Sequence, residues 1–133
     1  MEKLLEFKPF KALMKMISEC MDFKGRTSRN EYWWAVLGIF LIELAIGIVF
    51  GILKAILPHF LDVILDLLSS IISLAAAFLG VSMSIRRLHD TNKPGWWLLL
   101  SLTAIGGIVP LVFCILDGQK EDNQYGPVPS SIV

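Results

Sequence analysis

Three long apolar runs dominate the chain: Trp33–Leu57, Val63–Ile85 and Trp96–Leu116. Only Glu43, Lys54 and Asp66 interrupt them with charge. A transmembrane helix needs roughly 20 mostly apolar residues, and each run reaches that length. Three buried helices of a water-soluble core would leave too little polar surface to face water. The pattern therefore predicts an all-α membrane protein with spans at 29–57, 61–89 and 94–116, in a single membrane domain covering 1–133. Ahead of them, residues 9–22 alternate with helical period. Phe10, Leu13, Met14, Ile17 and Met21 fall on one side, and Lys11, Lys15, Ser18, Glu19 and Asp22 on the other. This predicts an amphipathic interfacial helix, with Pro9 at a favoured first position.

The boundaries carry their own signals. Ser28 with Glu31 three residues on forms a capping-box pattern at the start of the first span. Pro58 ends that span, and the short Pro58-His59-Phe60 turn predicts an antiparallel helical hairpin. Pro94 suits the start of the third. Gly106-Gly107 and Pro110 interrupt that last run midway, which predicts a kink. A sharper break would make it re-entrant. With only about ten residues on each side, and non-helical backbone tolerated at that depth only when shielded, a kinked full span with the tail outside is the expectation. The tail, 117–133, is polar and turn-rich.

Composition agrees: 55% hydrophobic and 18% charged, against roughly 45–50% and about 25% in soluble domains. Net charge is zero, but its layout is uneven. Of 12 Lys and Arg, seven precede the first span and three, Arg86, Arg87 and Lys93, lie between the second and third. Short basic loops stay inside, so the N-terminus is expected in the cytoplasm. The first residues lack the apolar core and cleavage site of a signal peptide, and the first span is expected to act as an uncleaved signal-anchor. Cys20 and Cys114 are expected near opposite faces, unbonded.

Within the membrane, Glu43 is the one ionisable side chain near mid-depth, with Ser73 expected at a similar level. A carboxyl with no acidic or histidine partner at its depth suits helix gluing better than proton relay. Gly47 and Gly51 permit close helix approach, to the second span or to another copy of the chain.

Catalytic chemistry finds little support. His89-Asp90 is a base beside a carboxylate, but sequence neighbours on a helix do not face each other. His59 and His89 make no zinc spacing. No metal, cofactor or nucleic-acid partner is expected, and the chain reads as a non-enzyme. The stronger feature is a cytoplasmic-face group of Arg26, Arg29, Arg86, Arg87 and Lys93. It suits either an anionic lipid headgroup or internal neutralisation, with Arg86 or Arg87 paired to Glu31 or Asp90.

Four ordered motifs complete the picture: Phe23-x-Gly25-Arg26-x-Ser28-Arg29-x-Glu31-Tyr32-Trp33, Arg86-Arg87-Leu88-His89-Asp90-Thr91, Gly95-Trp96-Trp97 and Asn123-x-Tyr125-Gly126-x-x-Pro129. Together they resemble the domain-of-unknown-function 805 family, the YhaH-like small bacterial inner-membrane proteins. The resemblance implies a multi-pass protein of the bacterial inner membrane and supplies no catalytic residues. It adds Asn123 and Tyr125 to a binding set of Arg26, Arg29, Glu31, Arg86, Arg87, His89, Asp90, Trp96 and Trp97. It also implies that the tail motif shares the face of the others, against the three-span threading. The function expected is lipid or partner binding at that face. The alternative is a small channel or transporter using Glu43 and the broken third helix.

Overall fold

The computed structural model describes residues 7–103 and 105–130. Ser28 starts the first long helix as its sequence pattern requires. Its hydroxyl accepts from the Glu31 amide at 3.3 Å, while the Ser28 amide donates to the Glu31 carboxylate at 3.4 Å. From there α2, Arg29–Ile56, runs unbroken to Leu57 and Pro58. It follows α1, Lys8–Ser18. After a single 3₁₀ turn at His59–Leu61, α3 returns as Asp62–Asp90. A 3₁₀ segment at Gly95–Leu102 and a short α4, Ile108–Ile115, complete the described elements. All are helical, apart from an isolated antiparallel bridge between Asn123 and Gly126.

Among the described residues, two helices are long and apolar enough to cross a membrane: α2, with mean hydropathy 2.7, and the stretch containing α3, with 2.1. At 1.5 Å per residue each is about 42 Å long, more than the roughly 30 Å hydrocarbon layer. α3 stops where Asn92 turns to φ 58, a conformation that asparagine tolerates. The Lys93 and Asn92 amides then close back on the Leu88 and His89 carbonyls.

The run 94–116, expected as one kinked helix, is not continuous. The chain runs out as the 3₁₀ segment, reverses beyond Thr103, and comes back as α4. The Thr103 hydroxyl accepts from the Gly106 amide at 3.1 Å and donates to the Leu100 carbonyl at 2.9 Å, satisfying backbone at the turn. Pro110, read from sequence as a kink, instead occupies the first turn of a new helix, where its missing N–H leaves no bond broken. Trp97 of the entering leg meets Phe113 of the returning leg edge-on at 5.3 Å. The tail consequently emerges beside the end of α3, where the Gln119 amide donates to the Asp90 carbonyl at 2.8 Å. The expectation of a tail on the opposite face is corrected with it. Cys114 lies at that same end, and both cysteines are free.

α1 differs from its expected form in length and in facing. It ends at Ser18 rather than residue 22, because the Asp22 carboxylate caps a turn by accepting from the Lys24 and Gly25 amides. It buries Pro9, Ala12, Leu13 and Met16, in a core shared with Ala35 of α2 and Met83 of α3. Met14, Ile17 and Met21, expected on the membrane-facing side, are exposed, whereas Leu13, expected on that side with them, is buried against the bundle. The contact forms on this side because α2 offers Ala35 and Gly38 there: a Cβ at Gly38 would lie 3.1 Å from the Pro9 carbonyl, so the glycine lets α1 come close.

Candidate functional site: a polar clamp at one end of the bundle

Arg87 and Asp90 stand one turn apart near the end of α3, and helical spacing makes them neighbours. They form an ion pair, with side-chain exposures of 0% and 4%. The Arg87 guanidinium also donates to the carbonyls of Thr27 at 3.3 Å, Cys114 at 3.3 Å and Leu116. It thus joins the turn before α2, the end of α3 and the exit of the hairpin. Arg26 approaches Asp90 from the other side, with Nη2 to Oδ1 at 2.9 Å. Its remaining donors reach three tail carbonyls: Gln119 at 2.6 Å, Glu121 at 2.8 Å and Gly126 at 3.2 Å. One carboxylate therefore serves two buried guanidinium groups, and backbone carbonyls take up the rest of their donors. The negative end of the α3 dipole lies at the same place and favours both cations.

The tail is held by more than charge. The His89 and Tyr125 rings stack at 3.8 Å with planes 3° apart. His89 Nδ1 lies 3.3 Å from the Gly25 carbonyl, and Asn123 Nδ2 donates to the His89 carbonyl at 3.0 Å. Gly126 sits at φ 128, a conformation that side chains rarely adopt. At Gly118 a Cβ would overlap the Asp90 carboxylate, so the chain passes there only without a side chain.

Other ionic groups pair around the rim. Arg86, 1% exposed, bonds Glu19, and its backbone carbonyl accepts from the Thr27 amide at 3.2 Å. Arg86 Nε and Ser82 Oγ are buried without a partner among the described residues. Of the two carboxylates expected to take Arg86 or Arg87, Asp90 pairs with Arg87, while Glu31 pairs with Lys15 of α1 at 2.9 Å. Arg29 pairs with Asp117 at 2.8 Å in the open.

Of the residues predicted from sequence, Arg26, Glu31, Arg86, Arg87, His89, Asp90, Asn123 and Tyr125 come together, with Arg29 at the edge. Trp96 and Trp97 do not join them. Trp96 is 61% exposed on the hairpin, and Trp97 packs on Phe113 with Lys93 Nζ 5.7 Å above its ring. Lys93 likewise stays out of the cluster. Sequence reasoning missed Glu19, Thr27 and Gly118. It also missed the accepting carbonyls at 114, 116, 119, 121 and 126, which carry no side-chain signature.

Near the middle of the long helices, on an exposed face, the Ser73 hydroxyl donates to Glu43 Oε2 at 3.0 Å, joining α2 and α3 at matching levels as expected. Further along, Lys54 pairs with Asp66. Gly47 and Gly51 make no close approach within the chain, since a Cβ at either would meet nothing within 4 Å. Among the described residues, no three His, Cys, Asp or Glu side chains are placed to share a metal ion.

All four motifs are thus present in one structure, three of them in the clamp. The family described as a protein of unknown function (DUF805) matches residues 20–127, which include nearly all of these groups. The chain belongs to that family. The inner membrane protein YhaI of Escherichia coli (strain K12) is 35% identical over 125 residues, covering 87% of this chain and 92% of its own. The inner membrane protein YhaH of the same strain is 30% identical over 117 residues, 87% of this chain and 93% of its own. No solved structure matches the chain.

Proposed function

We propose that this DUF805 protein resides in the bacterial inner membrane, crosses it twice with both ends in the cytoplasm, and works by binding a protein partner rather than by catalysis. The location follows its relatives, which are inner membrane proteins. The threading draws on α2, α3 and the hairpin. With the tail beside the N-terminal turn, every described Lys and Arg except Lys54 falls on the cytoplasmic side, as short-loop topology favours.

The observation that carries the binding reading is the inward aim of the arginines. Arg26, Arg86 and Arg87 are at most 8% exposed; Arg26 and Arg87 are engaged with the chain's own carboxylate and carbonyls, and Arg86 with Glu19. A phosphate headgroup would have to strip those bonds away, at the cost of unpaired buried charge. The clamp is a structural staple that holds tail, hairpin and N-terminal turn as one rigid platform, and recognition belongs to the surfaces that it fixes. Reversing Arg26 and Arg86 together in the full chain tests this. The staple predicts loss of tail protection from protease; a variant that stays folded while losing co-purified anionic lipid would overturn it.

A second reading, a small channel or transporter, draws on Glu43 and on the hairpin's break at membrane depth. A proton or ion flux in liposomes that disappears in Glu43→Gln would favour it.

A further inference from the structure

Glu43 is the midpoint of α2, roughly 20 Å from either end at 1.5 Å per residue. In a bilayer that is the centre of the hydrocarbon, where an ionisable group is costly and finds its place beside protein. One carboxyl oxygen has the Ser73 hydroxyl; Glu43 makes no other hydrogen bond among the described residues. From Glu43 a groove of about 250 Å³ runs along the outer halves of α2 and α3. Its walls include Gly47, Gly51 and Lys54 of α2, with Asp66 and Ser69 of α3. Gly47 and Gly51 look into open space, and the Lys54–Asp66 pair stays partly exposed at the far end.

A lipid chain could fill the glycine step but offers Glu43 no hydrogen bond. The groove carries both signs of charge, so it does not select an ion of one sign. A second copy supplies what is missing. Two copies inserted in the same direction and related by a twofold axis along the membrane normal meet at equal depth. Glycines four apart then let the α2 backbones approach. Lys54 of each copy comes to the level of Asp66 of the other, and each Glu43 gains a polar neighbour at its own depth.

We propose that this groove is the interface of a parallel homodimer, α2 against α2, centred on Glu43, Gly47 and Gly51. It rests on the binding reading above and names the partner within the membrane as the chain itself. The test uses the full chain in vesicles of phosphatidylethanolamine and phosphatidylglycerol, with dimer fraction followed by single-molecule subunit counting as protein is diluted in lipid. The wild type is expected to dimerise. Gly47→Ile with Gly51→Ile, and separately Glu43→Leu, should each raise the protein-to-lipid ratio at half-dimer by about tenfold or more, one decade of affinity. Unchanged protease protection of the tail in these variants would show that the fold persists. A wild type that stays monomeric at every ratio, with or without a lipid in the groove, would overturn the dimer. So would a dimer indifferent to both sets of substitutions. Neither result touches the clamp, whose own test is the Arg26 and Arg86 reversal.

Discussion

Arg87→Lys keeps the charge on α3 and removes the planar fork, and so separates charge from geometry in the clamp. An ammonium in its place can remain near Asp90, which also keeps Arg26. It cannot at the same time reach Thr27, Cys114 and Leu116. The Cys114 carbonyl retains a donor, Trp33 Nε1 at 3.2 Å. The Thr27 and Leu116 carbonyls have no other donor among the described residues. A buried acceptor left unsatisfied costs about 1–3 kcal/mol; the Thr27 carbonyl is buried and carries that cost, whereas Leu116 is exposed and its carbonyl can turn to water. Since roughly 1.4 kcal/mol is tenfold in an equilibrium, the lower bound already raises the open population of the cap about fivefold. Lys120 is exposed in the tail held down by Arg26 and Arg87, and its tryptic cleavage in detergent or nanodiscs reads that population when reclosing is fast. Cleavage at the wild-type rate would refute the claim that the fork holds the hairpin exit. So would an Arg87→Lys chain no different from wild type while Asp90→Asn is strongly loosened, because charge alone would then suffice.

Gly118→Ala should loosen the same tail without altering any charge, since the new methyl displaces the Asp90 carboxylate from its two guanidinium partners; cleavage after Lys120 is again the measure. Tyr125→Phe keeps the ring stacked on His89 and should behave as wild type, whereas Tyr125→Ala loses about 0.5–1.5 kcal/mol of aromatic pairing and should raise cleavage roughly two- to tenfold. A cysteine placed at Ser130 is expected to label from the same side of the membrane as one placed at the N-terminus; labelling from opposite sides would restore the three-span threading.

Local signals in the chain are fulfilled where the physics is local. Ser28 and Glu31 cap α2 because the two groups are one helical turn apart, and Pro58 ends it because nothing distant can restore the bond that it removes. The depth match of Glu43 and Ser73 follows from counting residues along two antiparallel rods joined by a short turn. The facing of α1 was not legible. Its apolar residues cover more than one side, and which side is buried depends on the small residues that α2 presents. The clamp was half legible: its side chains stand out as charges and aromatics in four motifs, but half of its bonds end on backbone carbonyls.

Alone, the sequence determines that three runs are apolar enough to cross a membrane, where the first two helices start and stop, and that polar motifs flank them. Each of these depends on residue type and on spacing within a few turns. It does not determine the path of Trp96–Leu116: the length of the run points to a kinked span, and the groups that turn it back lie far away in sequence. Tertiary structure decides that path. Arg26 and Arg87 find the carbonyls of the tail and of the hairpin exit, and that satisfaction of buried charge is available only if the chain turns back.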